Sequence, residues 1–276
     1  MSTATVSPRS STVDAVGGKV TLPRVITGEW IKFRTLRSSW ITLLAASLAT
    51  VGFGLLICYV TVNRWDHMQP DERAFFSPAD QSLRGYYLAQ LAVGVLGVLV
   101  VTGEYSTGMI RASLSAVPKR LPVLWAKAIV FGVVTWVVTT VSVVVAFLGG
   151  QAVLASKHLD TSFSAPGVPR VVFGTALYLT AIGLLAVGIG TLVRNTAGGI
   201  ATVFGLLLVL PVLAEALPSS WGDAISPYLP SHAGESLATL HQEAHTLAPW
   251  TGYGVLCGYV AVALVGAAVV LKRRDA

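Results

Sequence analysis

Six stretches of this sequence are apolar enough and long enough to cross a lipid bilayer: about 40–62, 85–103, 128–154, 171–193, 198–216 and 250–271. None carries Asp, Glu, His, Lys or Arg except Glu215, one residue from the end of the fifth. As a helix, the first would be about 35 Å long, against a hydrocarbon core of roughly 30 Å. In lipid each span has to satisfy its own backbone hydrogen bonds, which leaves helices as the natural solution. The spacing therefore predicts an all-α membrane protein with six transmembrane helices. Only 12% of residues are charged and mean hydropathy is +0.70, so the chain has about half the charge of an ordinary soluble domain.

An even number of spans puts both termini on one side, and the basic residues say which. The N-terminal segment, the passage between spans two and three, Arg194 and the C-terminal tail hold 14 of the 19 Lys and Arg residues. Basic loops stay cytoplasmic, so both termini are expected inside. A net charge of +6 explained by topology gives no reason to expect nucleic acid as a partner. Cys58 and Cys257 both fall inside apolar runs and read as small core residues, not a bridge.

Residues 1–22, rich in Ser, Thr and Val, read as a disordered cytoplasmic tail, and no apolar core follows the first basic residues as a signal peptide requires. A single six-span domain then runs over 23–276. In Pro23–Arg37, Ile26, Trp30 and Phe33 recur at helical spacing among Arg24, Lys32, Arg34 and Arg37, which predicts an N-terminal amphipathic helix in the headgroup layer. The loop at 63–84 is polar, the loop at 215–249 holds four carboxylates and no Lys or Arg, and Pro230–His245 has the makings of a short helix.

The long polar passage on the basic side, Thr102–Lys127, carries one carboxylate, Glu104, and the cations Arg111, Lys119, Arg120 and Lys127. Within it, Ile110, Leu114 and Val117 recur at i, i+4, i+7 and predict a short cytoplasmic helix over Thr107–Val117, ended by Pro118. A short helix joined to two spans is a lever for a soluble partner. The competing reading is a basic loop that only sets topology.

Chemistry of the chain's own is poorly supported. No G-x-x-x-x-G-K-[ST] loop is present, and Gly17-Gly18-Lys19 lacks its first glycine and its hydroxyl, so no bound cofactor is expected and ATP is not expected to bind this chain. His241-Gln242-Glu243-Ala244-His245 places two histidines one turn apart, but Gln242 stands where a zinc protease needs Glu. There is no G-x-S-x-G, and no histidine lies inside a span. Without ionisable residues at membrane depth, ion-coupled pumping is disfavoured, and an energy source outside the spans fits better. A stand-alone channel, scaffold or tolerance protein is the alternative, with Gln90, Thr135 and Thr139 as candidate path-lining residues. Thr140 and Ser142 continue the hydroxyl run of the third span. Glycines in the fourth span, and Gly254-x-x-x-Gly258 in the sixth, permit close helix packing, within the chain in preference to a dimer seam.

Gly103–Arg120, G-E-Y-S-T-G-M-I-R-A-S-L-S-A-V-P-K-R, resembles the signature of type-2 ABC transporter permeases, E-Y-x-x-G-T-I-R followed by a helix and P-x-R. Gly28–Ser38, G-E-W-I-K-F-R-T-L-R-S, is similar to that family's opening, and Pro227–Gly234, P-Y-L-P-S-H-A-G, to its segment before the last span. Met109 stands where the family often has Thr. The resemblance covers nearly all of Glu29–Arg274. It implies the membrane subunit of an ATP-driven exporter in a bacterial plasma membrane, paired with a second permease half as a homo- or heterodimer and energised by a separate cytoplasmic ABC ATPase. It implies a connecting helix carrying Glu29, Trp30, Lys32 and Arg34. It also implies an ATPase-contacting coupling helix and its flank, with Thr107, Ile110, Arg111, Leu114, Lys119 and Arg120. Glu104 is the family-motif acid, expected to pair with a cation that the sequence does not identify.

Overall fold

The structure, a computed structural model, describes residues 21–117, 120–241 and 246–273. The disordered tail expected over 1–22 lies outside it except for its last two residues, and of these Leu22 already opens a helix.

Among the described residues the chain is helical throughout, with no strand. The elements are α1 (Leu22–Thr35), α2 (Arg37–Arg64), α3 (Pro70–Ala74), α4 (Pro78–Leu83), α5 (Tyr86–Ser106), α6 (Met109–Ala116), α7 (Leu121–Leu154), α8 (Val168–Val193), α9 (Thr196–Phe204), α10 (Leu210–Glu215), α11 (Ser219–Ile225), α12 (Pro230–Ala238) and α13 (Pro249–Arg273). The six spans are α2, α5, α7, α8, the α9–α10 run and α13, each close to its expected limits. The largest difference is α7, which begins at Leu121 instead of 128: Pro122 sits in its first turn, where a missing N–H costs nothing. Lys127 is thereby carried into the helix.

The fourth span is the hub. α8 packs against α5, α7, α9, α12 and α13, and its lining of small residues lets backbones approach. An atom in the Cβ position of Gly97 on α5 would lie 2.4 Å from the carbonyl oxygen of Gly183 on α8, so only glycine fits that crossing. The packing expected at Gly254 and Gly258 is not made: neither has a neighbour within 4 Å, and both face outward from α13. In the fifth span a π-helical turn at Gly205–Val209 joins α9 to α10. Pro211 has no N–H to donate to Leu207 and its ring crowds that carbonyl, and the wider turn relieves the clash.

Two short helices fold back onto the bundle at the end where α5 begins. α4 lies in the stretch 63–84 expected as polar loop, and α12 is the short helix expected within Pro230–His245, ending at Ala238. α4 packs between α2 and α7, and α12 is wedged between α8 and α13. Arg170 at the start of α8 donates to the carbonyls of Ser236, Leu237 and Thr239, which satisfies the open end of α12. Cys58 is buried and Cys257 exposed, and both are free thiols.

Candidate functional site

At the opposite end of the bundle, three helices each contribute to one knot of charge. α1 presents Val25, Glu29 and Phe33, four residues apart, on the face turned inward. That face differs from the Ile26–Trp30–Phe33 stripe expected from spacing, because Trp30 is exposed and Ile26 is only half-buried. The reason is Glu29: a carboxylate on the buried face has partners there that spacing does not reveal. Lys32, one turn on, lies beside it.

Glu104 closes the last turns of α5, and Lys127 projects from α7. The four side chains form an alternating ring. Lys127 Nζ lies 2.8 Å from Glu29 Oε2 and 2.8 Å from Glu104 Oε1. Lys32 Nζ lies 2.7 Å from Glu29 Oε1 and 3.2 Å from Glu104 Oε1. Glu29, Glu104 and Lys127 are all buried, and Lys32 is half-buried. Charges taken from water are tolerable only when paired and hydrogen-bonded, and two cations against two anions make the ring neutral. Burial would raise the Glu29 carboxyl, but Lys127 and then Lys32 outweigh it and hold the group below its ordinary value of 4.5. Burial would lower Lys32, but Glu29 and Glu104 hold its ammonium above 10.5. Glu104 Oε2 has no partner among the described residues. It borders a cavity of about 20 Å³, the size of a single water molecule.

α6 attaches to this ring directly. Gly108 turns the chain at φ 72°, a conformation side-chain-bearing residues avoid, so α6 can start abruptly after α5. Lys32 Nζ then donates to Ser113 Oγ on α6 at 2.8 Å. Ile110 and Val117 pack with Val25 of α1, Val123 and Ala126 of α7 and Leu271 of α13.

The predicted site residues sort as follows. Glu104 finds its cations in Lys127 and Lys32. Glu29 and Lys32 belong to the ring, while Trp30 and Arg34 point away from it and are exposed. α6 is shorter than expected, since Thr107 is not in it: it caps α5 and its hydroxyl donates to Gly103 O. Ile110 is buried against the chain's own core, packed with Val117, α1, α7 and α13, so it offers no surface contact. Met109 and Ser115 are exposed on α6, and Thr107 is exposed in the turn before it. Lys119 lies outside the described residues, as do the side chains of Arg111 and Leu114. Arg120, with φ 53°, donates to the Leu271 carbonyl at 3.4 Å. Arg194 caps the same helix end through Val270 O at 3.5 Å and lies 5.4 Å from the centre of the Tyr105 ring.

The candidate path residues are interior. Gln90 accepts the Tyr178 hydroxyl, Thr135 is fully buried, and Thr139 donates to Thr135 O and Ala176 O. They are buried where α5, α7 and α8 pack together. Of the two histidines suggesting a metal helix, His241 is described and residues 242–245 are not. Among the described residues no three His, Cys, Asp or Glu side chains converge.

Lys127 is the member of the ring that residue spacing does not identify: in the sequence it is one of four cations in Thr102–Lys127, and its pairing with Glu29 and Glu104 appears only in the packed bundle.

No curated protein matches this chain. The family described as ABC-2 family transporter protein matches residues 25–212, a region that contains most of α1, the whole charge ring, α6 and most of the fifth span. Six membrane-crossing helices and a match over more than half of its length agree: this chain belongs to the ABC-2 family of transporter proteins, as a multi-pass membrane permease component.

Proposed function

We propose that this permease is the membrane subunit of an ATP-driven exporter whose power comes from a separate cytoplasmic ABC ATPase gripping α6. The supporting observation is the bond from Lys32 to Ser113, set in the Glu29–Lys32–Glu104–Lys127 ring. A force applied to the exposed side of α6 at Thr107, Met109 and Ser115 passes through that bond into α1 and through the ring into α5 and α7. The ring resists shear because separating any one ion leaves an unpaired buried charge, at about 3–5 kcal/mol. α1, α5, α6 and α7 therefore move as one block, and spans two and three tilt together. In this reading both termini are cytoplasmic in a bacterial plasma membrane, and two permease halves enclose the path.

The test is site-directed crosslinking with Ser115→Cys, an exposed position outside the ring. Expressed with the ATPase subunit of its own operon, the variant should crosslink to that subunit and co-purify with it. If the chain transports without any nucleotide-binding subunit, or if Ser115→Cys reacts only from the extracellular side, the reading fails.

A further inference from the structure

At the end of the bundle opposite the ring, α4, the first turn of α5 and the segment after α12 surround a cleft of about 690 Å³. Pockets that take drug-sized ligands span roughly 300–1,000 Å³. We propose that this cleft is a binding site for an organic ammonium cation with an aromatic or apolar body.

The first observation is unmet hydrogen bonding. The amide oxygen of Gln81, on the cleft wall, is buried and has no partner among the described residues, so it is free to accept an N–H. Tyr86, on the same lining, is only 2% exposed, and its hydroxyl interacts with that of Tyr87. The second observation is the aromatic surface. Phe75 and Tyr87 line the cleft and remain exposed, and Tyr87 stacks on Tyr86 with ring centres 4.3 Å apart. Aromatic faces attract cations within about 6 Å.

Asp80 on the cleft wall is held by the backbone N–H of Leu240 at 2.8 Å and offers the ammonium a carboxylate. The exposed Arg84 on the same lining offsets its charge, and burial keeps Glu235, on α12, protonated up to about pH 8, so the choice of a cation rests on the aromatic faces and on contact with Asp80 and Gln81. The site is independent of the coupling apparatus, being made by other helices at the other end, so it is testable without an ATPase.

The experiment is calorimetric titration of the full chain in lipid nanodiscs, with empty nanodiscs as the blank. 1-Naphthylmethylammonium is the cationic probe, and 1-naphthylacetate is an anion of similar size. The ammonium should bind saturably with one site per chain, and the anion at least about tenfold more weakly. Gln81→Leu, which removes an unpartnered acceptor, should weaken the ammonium about tenfold. Phe75→Ala, an exposed side chain, should weaken it about threefold without shifting thermal unfolding. Heat no different from empty nanodiscs, equal affinity for the anion, or unchanged affinity in both variants would each overturn the proposal.

Discussion

Lys32 Nζ and Ser113 Oγ are 2.8 Å apart, although they are 81 residues apart in the chain, and this bond joins α1 to α6. Ser113 in turn donates to the Met109 carbonyl, so its oxygen is oriented to receive the ammonium. Among the described side chains, the other hold on α6 is the packing of Ile110 and Val117.

Ser113→Ala should therefore loosen α6 while leaving the spans intact. A hydrogen bond to a charged group is worth about 1.5–3 kcal/mol, and the partial exposure of Lys32 puts this one at the lower end. Amide exchange in Met109–Ala116 should accelerate about tenfold, with exchange in α5 and α7 unchanged. Equal protection in wild type and variant would mean that packing alone holds the helix.

Removing one ion from the ring should be worse than removing two. Lys127→Met leaves Glu29 and Glu104 sharing Lys32, at a cost of about 3–5 kcal/mol. Adding Glu104→Gln restores neutrality and should recover more than half of the lost stability, measured as apparent melting temperature in detergent. Additive losses in the double variant would argue against charge pairing.

The pH responses of the two ends should differ. Glu29 lies below 4.5 and Lys32 above 10.5 in the folded chain. The Glu29 contribution is present above 4.5 and is lost only as acid titrates it below that, while the Lys32 contribution is present below 10.5 and is lost above it. Between pH 5 and 10 these two groups should contribute no slope. Glu235 is the reverse case, a carboxyl pushed up to about 8 by burial. Between 4.5 and about 8 the unfolded chain has released this proton and the folded chain still holds it. Stability should fall as pH rises, by at most ~1.4 kcal/mol per unit and less where water reaches the half-buried group. Glu235→Gln should flatten the melting temperature between pH 5 and 8, and an unchanged slope would exonerate this carboxyl.

Arg194 combines a left-handed backbone, φ 55°, with a guanidinium that caps α13. Arg194→Ala keeps the strain and loses the cap, whereas Arg194→Gly loses both. The glycine variant should be the more stable by about 1 kcal/mol. Equal melting temperatures would show that the turn is not strained.

α12 is seated by glycines on its neighbours. A Cβ at Gly174 would lie 2.5 Å from the Leu237 carbonyl oxygen, so Gly174→Ala should cost about 1–3 kcal/mol. Gly254→Ala, with nothing within 4 Å, should be tolerated. Equal losses in melting temperature at the two positions would contradict this placement of α12.

Residue order alone determined the six spans, the short helix between the second and third of them and the family signature, because each depends on near neighbours in sequence. Lipid demands that every spanning segment satisfy its own backbone, so hydropathy and length mark Trp40–Val62 or Val171–Val193 without knowledge of any partner. Tertiary structure decided the pairings. Glu104 meets Lys127 and Lys32, and Glu29 turns inward instead of Trp30, because the crossing and rotation of α1, α5 and α7 set which side chains converge. The same holds for α4, which falls in a stretch that reads as polar loop, and for the seat of α12: a short helix is legible in Pro230–His245, but only the groove between α8 and α13, and the Arg170 side chain reaching across to Ser236, Leu237 and Thr239, supply the partners that bury it. Periodicity reports which face of a helix is apolar, but a buried charge follows the position of its counter-charge, and that position exists only once the bundle has packed.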